Sequence, residues 1–168
     1  MFNILQFKAK IWFLLGFLAC ISLLAMGAYF QLVEDLEPCP LCISQRLAIL
    51  LTGLVFLTAG LHNPGHIGVT RYAVLGTVTA LLGASISSRH IWLQHLPPEK
   101  VPECGPELAY MFQYFPLFDT LKLMLSGTGD CAKIDWTLLG LSMPVWTLFA
   151  FLSLATLSLM QIWNTTKK

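Results

Sequence analysis

Four long apolar stretches, nearly free of charge, divide this chain and leave few architectures open to it. The first, 11–33, holds no charged residue, and the second, 41–61, holds only Arg46 near its start. The third runs over 72–90 and the fourth over 144–163. A helix that crosses a bilayer needs about 20 apolar residues, and each stretch is of that order. With 56% apolar residues, 11% charged and a mean hydropathy of +0.70, the chain is built for lipid rather than water. The expectation is one all-α domain over 1–168, a bundle of four transmembrane helices joined on one side by loops at 34–41 and 91–143.

Charge sets the orientation. The termini carry Lys8, Lys10, Lys167 and Lys168, and the short connection between the second and third spans ends at Arg71. All nine acidic residues fall in the other two loops. Basic residues of short segments stay inside, so both termini are expected in the cytoplasm and both acidic loops outside. A competing reading makes the first stretch a cleaved signal, with Ala25-Met26-Gly27 as its small-residue site. The run continues through Tyr29, Phe30, Leu32 and Val33, longer than a secretory signal needs, and Trp12 and Tyr29 suit the two interfaces of a span.

This topology sorts the five cysteines. Cys39 and Cys42 lie in the first outside loop, Cys104 and Cys131 in the second, and Cys20 within the first span, where it reads as a small buried hydrophobe. If this is a bacterial inner membrane, the outside is oxidising and disulfides can persist there. In Pro38-Cys39-Pro40-Leu41-Cys42, Pro40 suits the first turn of the second helix. That places Cys42 near a helix N-terminus, whose partial positive charge favours a thiolate. Arg46, four residues on, shares its face. The bland reading of Arg46 is a side chain snorkelling to the headgroups; the functional one is a fixed cation for a thiolate or a reduced oxygen. For the cysteines, a four-thiolate zinc site and a pair of inert structural disulfides are the alternatives.

The second loop is too long to be a mere connection. Cys104 sits in a proline-rich stretch, 97–106, expected to be extended and exposed. Between the cysteines, Pro116 to Leu125 reads as an interfacial helix lying against the bilayer. Cys104 and Cys131 are then expected to be mobile and near the surface. Lys133 and Asp130 pull the acidity of Cys131 in opposite directions. His62 and His66 have ligand-like spacing, but Asn63-Pro64-Gly65 between them marks a turn, so they are taken as loop residues. His95 has no assigned role.

Taken together, Cys39-Pro40-Leu41-Cys42 with Arg46, His90, Cys104, and Gly129-Asp130-Cys131-Ala132 running on through Trp136 to Leu139-Gly140-Leu141-Ser142-Met143-Pro144 resemble the DsbB family of bacterial membrane disulfide oxidoreductases. The resemblance covers nearly the whole chain. It implies oxidation of a periplasmic thioredoxin-fold dithiol protein of the DsbA type, with ubiquinone or menaquinone as acceptor. It also implies Cys39, Cys42, Cys104 and Cys131 as the redox-active residues, with Arg46, His90 and Cys42 beside the quinone. Two rivals stand next to it. The vitamin K epoxide reductase-like family also pairs a membrane-edge Cys-X-X-Cys with loop cysteines, but places that motif late in the chain. A non-enzymatic scaffold with structural disulfides is the rival from another class.

Overall fold

The computed structural model describes residues 2–105 and 108–167. Helix α1 spans Phe2–Leu32, α2 Pro40–His62, α3 His66–Gln94 and α6 Met143–Thr166, and all four are long and apolar enough to cross a membrane. The 24 residues Ala9–Leu32 alone reach about 36 Å at 1.5 Å per residue, more than the roughly 30 Å hydrocarbon core. The chain is an all-α membrane protein with a four-helix bundle.

The turns have visible causes. Asn63 caps α2 in the left-handed region (φ 45°) with its N–H on the Ala59 carbonyl, and Pro64 follows. His66 then starts α3 six residues before the expected Tyr72. His62 and His66 are thus helix-end residues rather than loop residues, and Arg71 lies inside α3. His62 Nδ1 meets the Tyr72 hydroxyl at 3.0 Å. Helix α1 begins at Phe2, nine residues before the expected start at 11, although its membrane-crossing part begins at Ala9; α2 and α6 lie within a turn of the expected 41–61 and 144–163.

The four helices pack in the order α1, α2, α3, α6, with little contact between α1 and α6. Close packing in lipid relies on small residues at the seams. Phe56 of α2, fully buried, lies between Gly16 of α1 and Gly76 of α3, where a methyl group would meet its ring at 2.5 Å and 2.6 Å. Gly83 of α3 likewise receives Phe151 of α6. Cys20 is buried against Gly53 and plays the packing part expected of it. Large apolar side chains such as Leu18, Leu82 and Met160 face outward, where lipid replaces water.

The long loop is mostly structured. After a 3₁₀ turn at Pro98–Lys100 come α4 (Leu108–Tyr114), α5 (Leu117–Ser126), a second 3₁₀ turn at Gly129–Ala132 and a hairpin of β1 (Thr137–Leu138) and β2 (Leu141–Ser142). Helix α5 is the expected interfacial segment: Thr120 and Met124 face the protein, while Leu117, Phe118, Leu121 and Leu125 are exposed. Arg89 of α3 donates twice to the Ser126 carbonyl at the end of α5, at 3.3 and 3.1 Å. The hairpin pairs Thr137 with Ser142 and Leu138 with Leu141. Both of its central residues, Leu139 (φ 54°) and Gly140 (φ 78°), have the positive φ that a two-residue primed turn requires.

Candidate active site

The first pair sits at the mouth of α2. Cys39 is the N-cap, with extended backbone, and its sulfur accepts the Cys42 N–H at 3.4 Å. Pro40 fills the first helical position, as expected, where its missing N–H costs nothing. The two sulfurs are 3.1 Å apart. The capping role falls to Cys39, a residue type not counted among the usual caps.

The second pair divides in two. Cys104 is exposed, as expected; Cys131 is fully buried, contrary to the expectation of a mobile surface sulfur. The cause is the 3₁₀ turn at Gly129–Ala132, which drives Cys131 into a cluster with Leu41 and Leu93. Cys39 packs against this same cluster, which brings the Cys131 and Cys39 side chains together. Three sulfurs, Cys39, Cys42 and Cys131, therefore gather at one helix N-terminus, where unpaired backbone N–H groups collect.

Glycines bring the two halves of the loop together. Gly129 donates its N–H to the Glu103 carbonyl at 3.1 Å, and its Cα packs so tightly on the 102–104 backbone that any Cβ would lie 2.5 Å from the Pro102 oxygen. Gly127 (φ 80°) turns the chain against Leu93 and Leu41. Cys104 and Cys131 are thus carried on adjoining backbone segments, with one side chain facing water and the other facing Cys39.

Charge differs sharply between them. The Asp130 carboxylate beside the Cys104 thiol raises its pKa. Burial works against ionisation of Asp130, yet the hydrogen bond from Lys133 and the nearby Cys104 thiol hold it below the usual carboxylate range. Lys133 pairs with Asp130 at 3.2 Å. The opposed pulls expected on Cys131 fall on Cys104 instead, and Cys131 is raised by the neighbouring Cys39 thiol and by burial.

His90 is buried one turn before the end of α3. Its Nε2 lies 3.8 Å from the Cys39 sulfur and its Nδ1 lies 3.2 Å from Nε2 of Gln45. The Thr147 hydroxyl of α6 donates to Oε1 of Gln45 at 3.2 Å. Arg46 donates to the Gly27 carbonyl at 2.8 Å and to Oε1 of Gln31 at 2.5 Å, both on α1. Among the described residues its hydrogen-bond partners lie there and not at a cysteine. Cys42, Arg46 and His90 nevertheless line one small cavity of about 80 Å³ together with Phe30 of α1 and Pro144 of α6.

The six residues singled out from the sequence therefore meet at one end of the bundle, Cys104 at its rim. Gln45, Thr147, Gly127 and Gly129 were missed. A usable signal existed for the first two, because an amide and a hydroxyl inside apolar spans require partners.

A family model described as Disulfide bond formation protein DsbB matches residues 9–161. Curated relatives named Disulfide bond formation protein B include one from Methylococcus capsulatus, 64% identical over 157 residues, covering 94% of this chain and 96% of the relative. One from Nitrosococcus oceani is 53% identical over 153 residues, covering 91% and 90%. Another, from Xylella fastidiosa, is 42% identical over 159 residues, covering 94% and 92%. The vitamin K epoxide reductase-like alternative is set aside by this match. On its four-helix fold and these likenesses, the chain belongs to the DsbB family of membrane disulfide bond formation proteins.

Proposed function

We propose that the chain is a quinone-linked thiol oxidase of the bacterial inner membrane, with cytoplasmic termini and periplasmic cysteines. Its soluble substrate is a dithiol protein of the thioredoxin-fold, DsbA-like kind, and its acceptor is ubiquinone or menaquinone. The observation that supports this most is the succession of sulfurs: Cys104 exposed, Cys131 buried beside Cys39, and Cys39 3.1 Å from Cys42. Such a succession leads from water to the membrane edge.

Thiol exchange runs by thiolate attack and is faster when the leaving sulfur is stabilised. The partner's thiolate attacks Cys104 of a Cys104–Cys131 disulfide, and the bonding pair leaves on Cys131. Cys131 attacks Cys39 of a Cys39–Cys42 disulfide and releases Cys42 as a thiolate. The partner's second thiolate then attacks its own sulfur in the mixed disulfide, which frees the oxidised partner and the Cys104 thiolate. Cys104 attacks Cys131, restores the loop disulfide and releases Cys39. Two electrons have moved from the partner to the Cys39 and Cys42 pair.

A quinone bound beside the pair supplies the two-electron acceptor that returns it to the disulfide. The chemistry of the lining fits such a group: Arg46 offers a permanent cation, and Phe30 and Pro144 an apolar wall. Arg46 would hold a carbonyl oxygen, Cys42 would be the sulfur that faces the ring, and His90, expected beside the quinone, lines the same cavity with its Nε2 toward Cys39.

The test is oxidation of a reduced DsbA-like protein by the lipid-reconstituted chain with added quinone. Cys131→Ser is expected to accumulate a mixed disulfide on Cys104, and Arg46→Ala to weaken the apparent affinity for quinone. Recovery of the partner only on Cys39 reverses the order of sulfurs. Absence of quinone-dependent oxidation leaves the scaffold reading.

A further inference from the structure

Gln45 lies one turn into α2 and is only 4% exposed. A buried primary amide is costly unless both of its ends are bonded, and here both are, each to a different helix. Thr147 of α6 donates to Oε1, and Nε2 faces Nδ1 of His90 on α3, both at 3.2 Å. The far nitrogen of the same ring, Nε2, faces the Cys39 sulfur at 3.8 Å.

The direction of these bonds follows from chemistry. An amide accepts only at oxygen and donates only at nitrogen, so an Oε1 that receives the Thr147 proton turns the Gln45 N–H toward Nδ1. A neutral imidazole that accepts at Nδ1 carries its proton on Nε2. That proton then points at the Cys39 sulfur. We infer that Gln45, anchored by Thr147, is a positioning residue that holds His90 as the Nε2–H tautomer, so that the ring donates a hydrogen bond to Cys39 when that sulfur is released from its disulfide with Cys131. The inference rests on the order of sulfurs proposed above and gives a task to side chains which that order leaves unused.

A second arrangement competes, because the Thr147 hydroxyl has one proton and also lies 2.9 Å from the Pro144 carbonyl. Were the proton given there, the amide would turn over, Oε1 would accept from an Nδ1–H, and Nε2 would be bare. The surroundings of the ring disfavour this. With Nδ1 engaged by Gln45, a bare Nε2 would turn its lone pair on the Cys39 sulfur, and a thiolate released there would face it with no proton between them.

In the step concerned, the Cys104 thiolate attacks the Cys131 sulfur. The bond between Cys104 and Cys131 forms, the bond between Cys131 and Cys39 breaks, and its electron pair goes to Cys39. Cys104 is oxidised and Cys39 reduced. No proton need change hands, since the new charge is met by His90 Nε2–H and by the Cys42 N–H already directed at that sulfur. Successive donors pointing one way, Thr147 to Gln45 to His90, polarise each other toward the sulfur.

The experiment uses the full chain in lipid nanodiscs with isotope-labelled histidine. Nitrogen NMR of the neutral ring reads the tautomer, and rapid quenching after mixing with a reduced DsbA-like protein reads the decay of the Cys39–Cys131 disulfide. The parent is expected to hold the proton on Nε2. Gln45→Glu, which can only accept, should move it to Nδ1, and Gln45→Met, of similar size but with no donor, should abolish the bias. In both, the decay should slow roughly tenfold, the effect of about 1.4 kcal/mol at the step that releases Cys39. Thr147→Val should follow Gln45→Met and Thr147→Ser should restore the parent, which separates hydrogen bonding from packing. A proton on Nδ1 in the parent, or a tautomer and decay unchanged by Gln45→Glu, overturns the inference. If the parent never forms the Cys39–Cys131 disulfide, the order of sulfurs fails and the role at Cys39 with it, while the NMR still reports whether Gln45 sets the ring.

Discussion

Replacing Gly129 with alanine tests the closeness on which the loop pair depends. The added Cβ would stand 2.5 Å from the Pro102 carbonyl oxygen and 3.3 Å from the Cys104 amide nitrogen, and both are backbone atoms that cannot rotate aside. The two segments must part by nearly an ångström, which also stretches the 3.1 Å hydrogen bond from Gly129 to Glu103. Overpacking of this kind costs about 1–3 kcal/mol. In the dithiol the segments can separate and shed the cost, whereas a Cys104–Cys131 disulfide holds them together. The disulfide is therefore the form that is destabilised, and its reduction potential should rise by about 20–65 mV. Equilibration in glutathione buffers, with the pair quantified by mass spectrometry, measures this. Gly105→Ala is the comparison: its Cβ would meet the Thr128 side chain, the methyl group and, at 3.2 Å, the Cβ, but no backbone atom, so its potential should rise less. An unchanged potential for Gly129→Ala, or an equal rise for Gly105→Ala, would refute the reasoning.

Further outcomes follow from the same geometry. Asp130→Asn removes the negative charge that disfavours the Cys104 thiolate, so the pKa of Cys104 falls and alkylation of the reduced protein at that residue begins at lower pH. Lys133→Ala removes a nearby cation and shifts the alkylation profile the other way. Phe56→Ala empties the space between Gly16 and Gly76 and should cost about 3–5 kcal/mol in unfolding measured within bilayers or mixed micelles. Leu139→Gly relieves a left-handed residue in the hairpin turn and should stabilise that turn by about 1 kcal/mol, visible as slower amide exchange at Leu141 and Ser142.

The spans were legible because lipid rewards unbroken apolar runs and the chain offers four of them. The boundary at His66 was not. Arg71, His66 and Gly68 look like loop residues, yet they form the water-facing start of a helix whose apolar part begins later. The cysteine motif, Pro40 and the interfacial helix were read from local chemistry alone, since a proline beside a helix start and an amphipathic period carry their own explanation. The burial of Cys131 was hidden. It depends on Gly127 and Gly129, which allow backbones distant in sequence to touch, and nothing in a run of residues announces such a contact. Gln45 and Thr147 lie between the two cases. Each stands out as polar inside a span, but 102 positions separate them, and only the fold makes them one hydrogen-bonded unit through His90.

The account depends on electrons leaving the loop pair by way of a bond between Cys131 and Cys39. Acid quenching of the lipid-embedded protein at successive times after mixing with a reduced DsbA-like partner, followed by mass-spectrometric mapping of disulfides, tests it most directly. A Cys39–Cys131 linkage should rise after the mixed disulfide on Cys104 and decay before the partner is fully oxidised. Full-rate oxidation of the partner with no such linkage at any time would contradict the account.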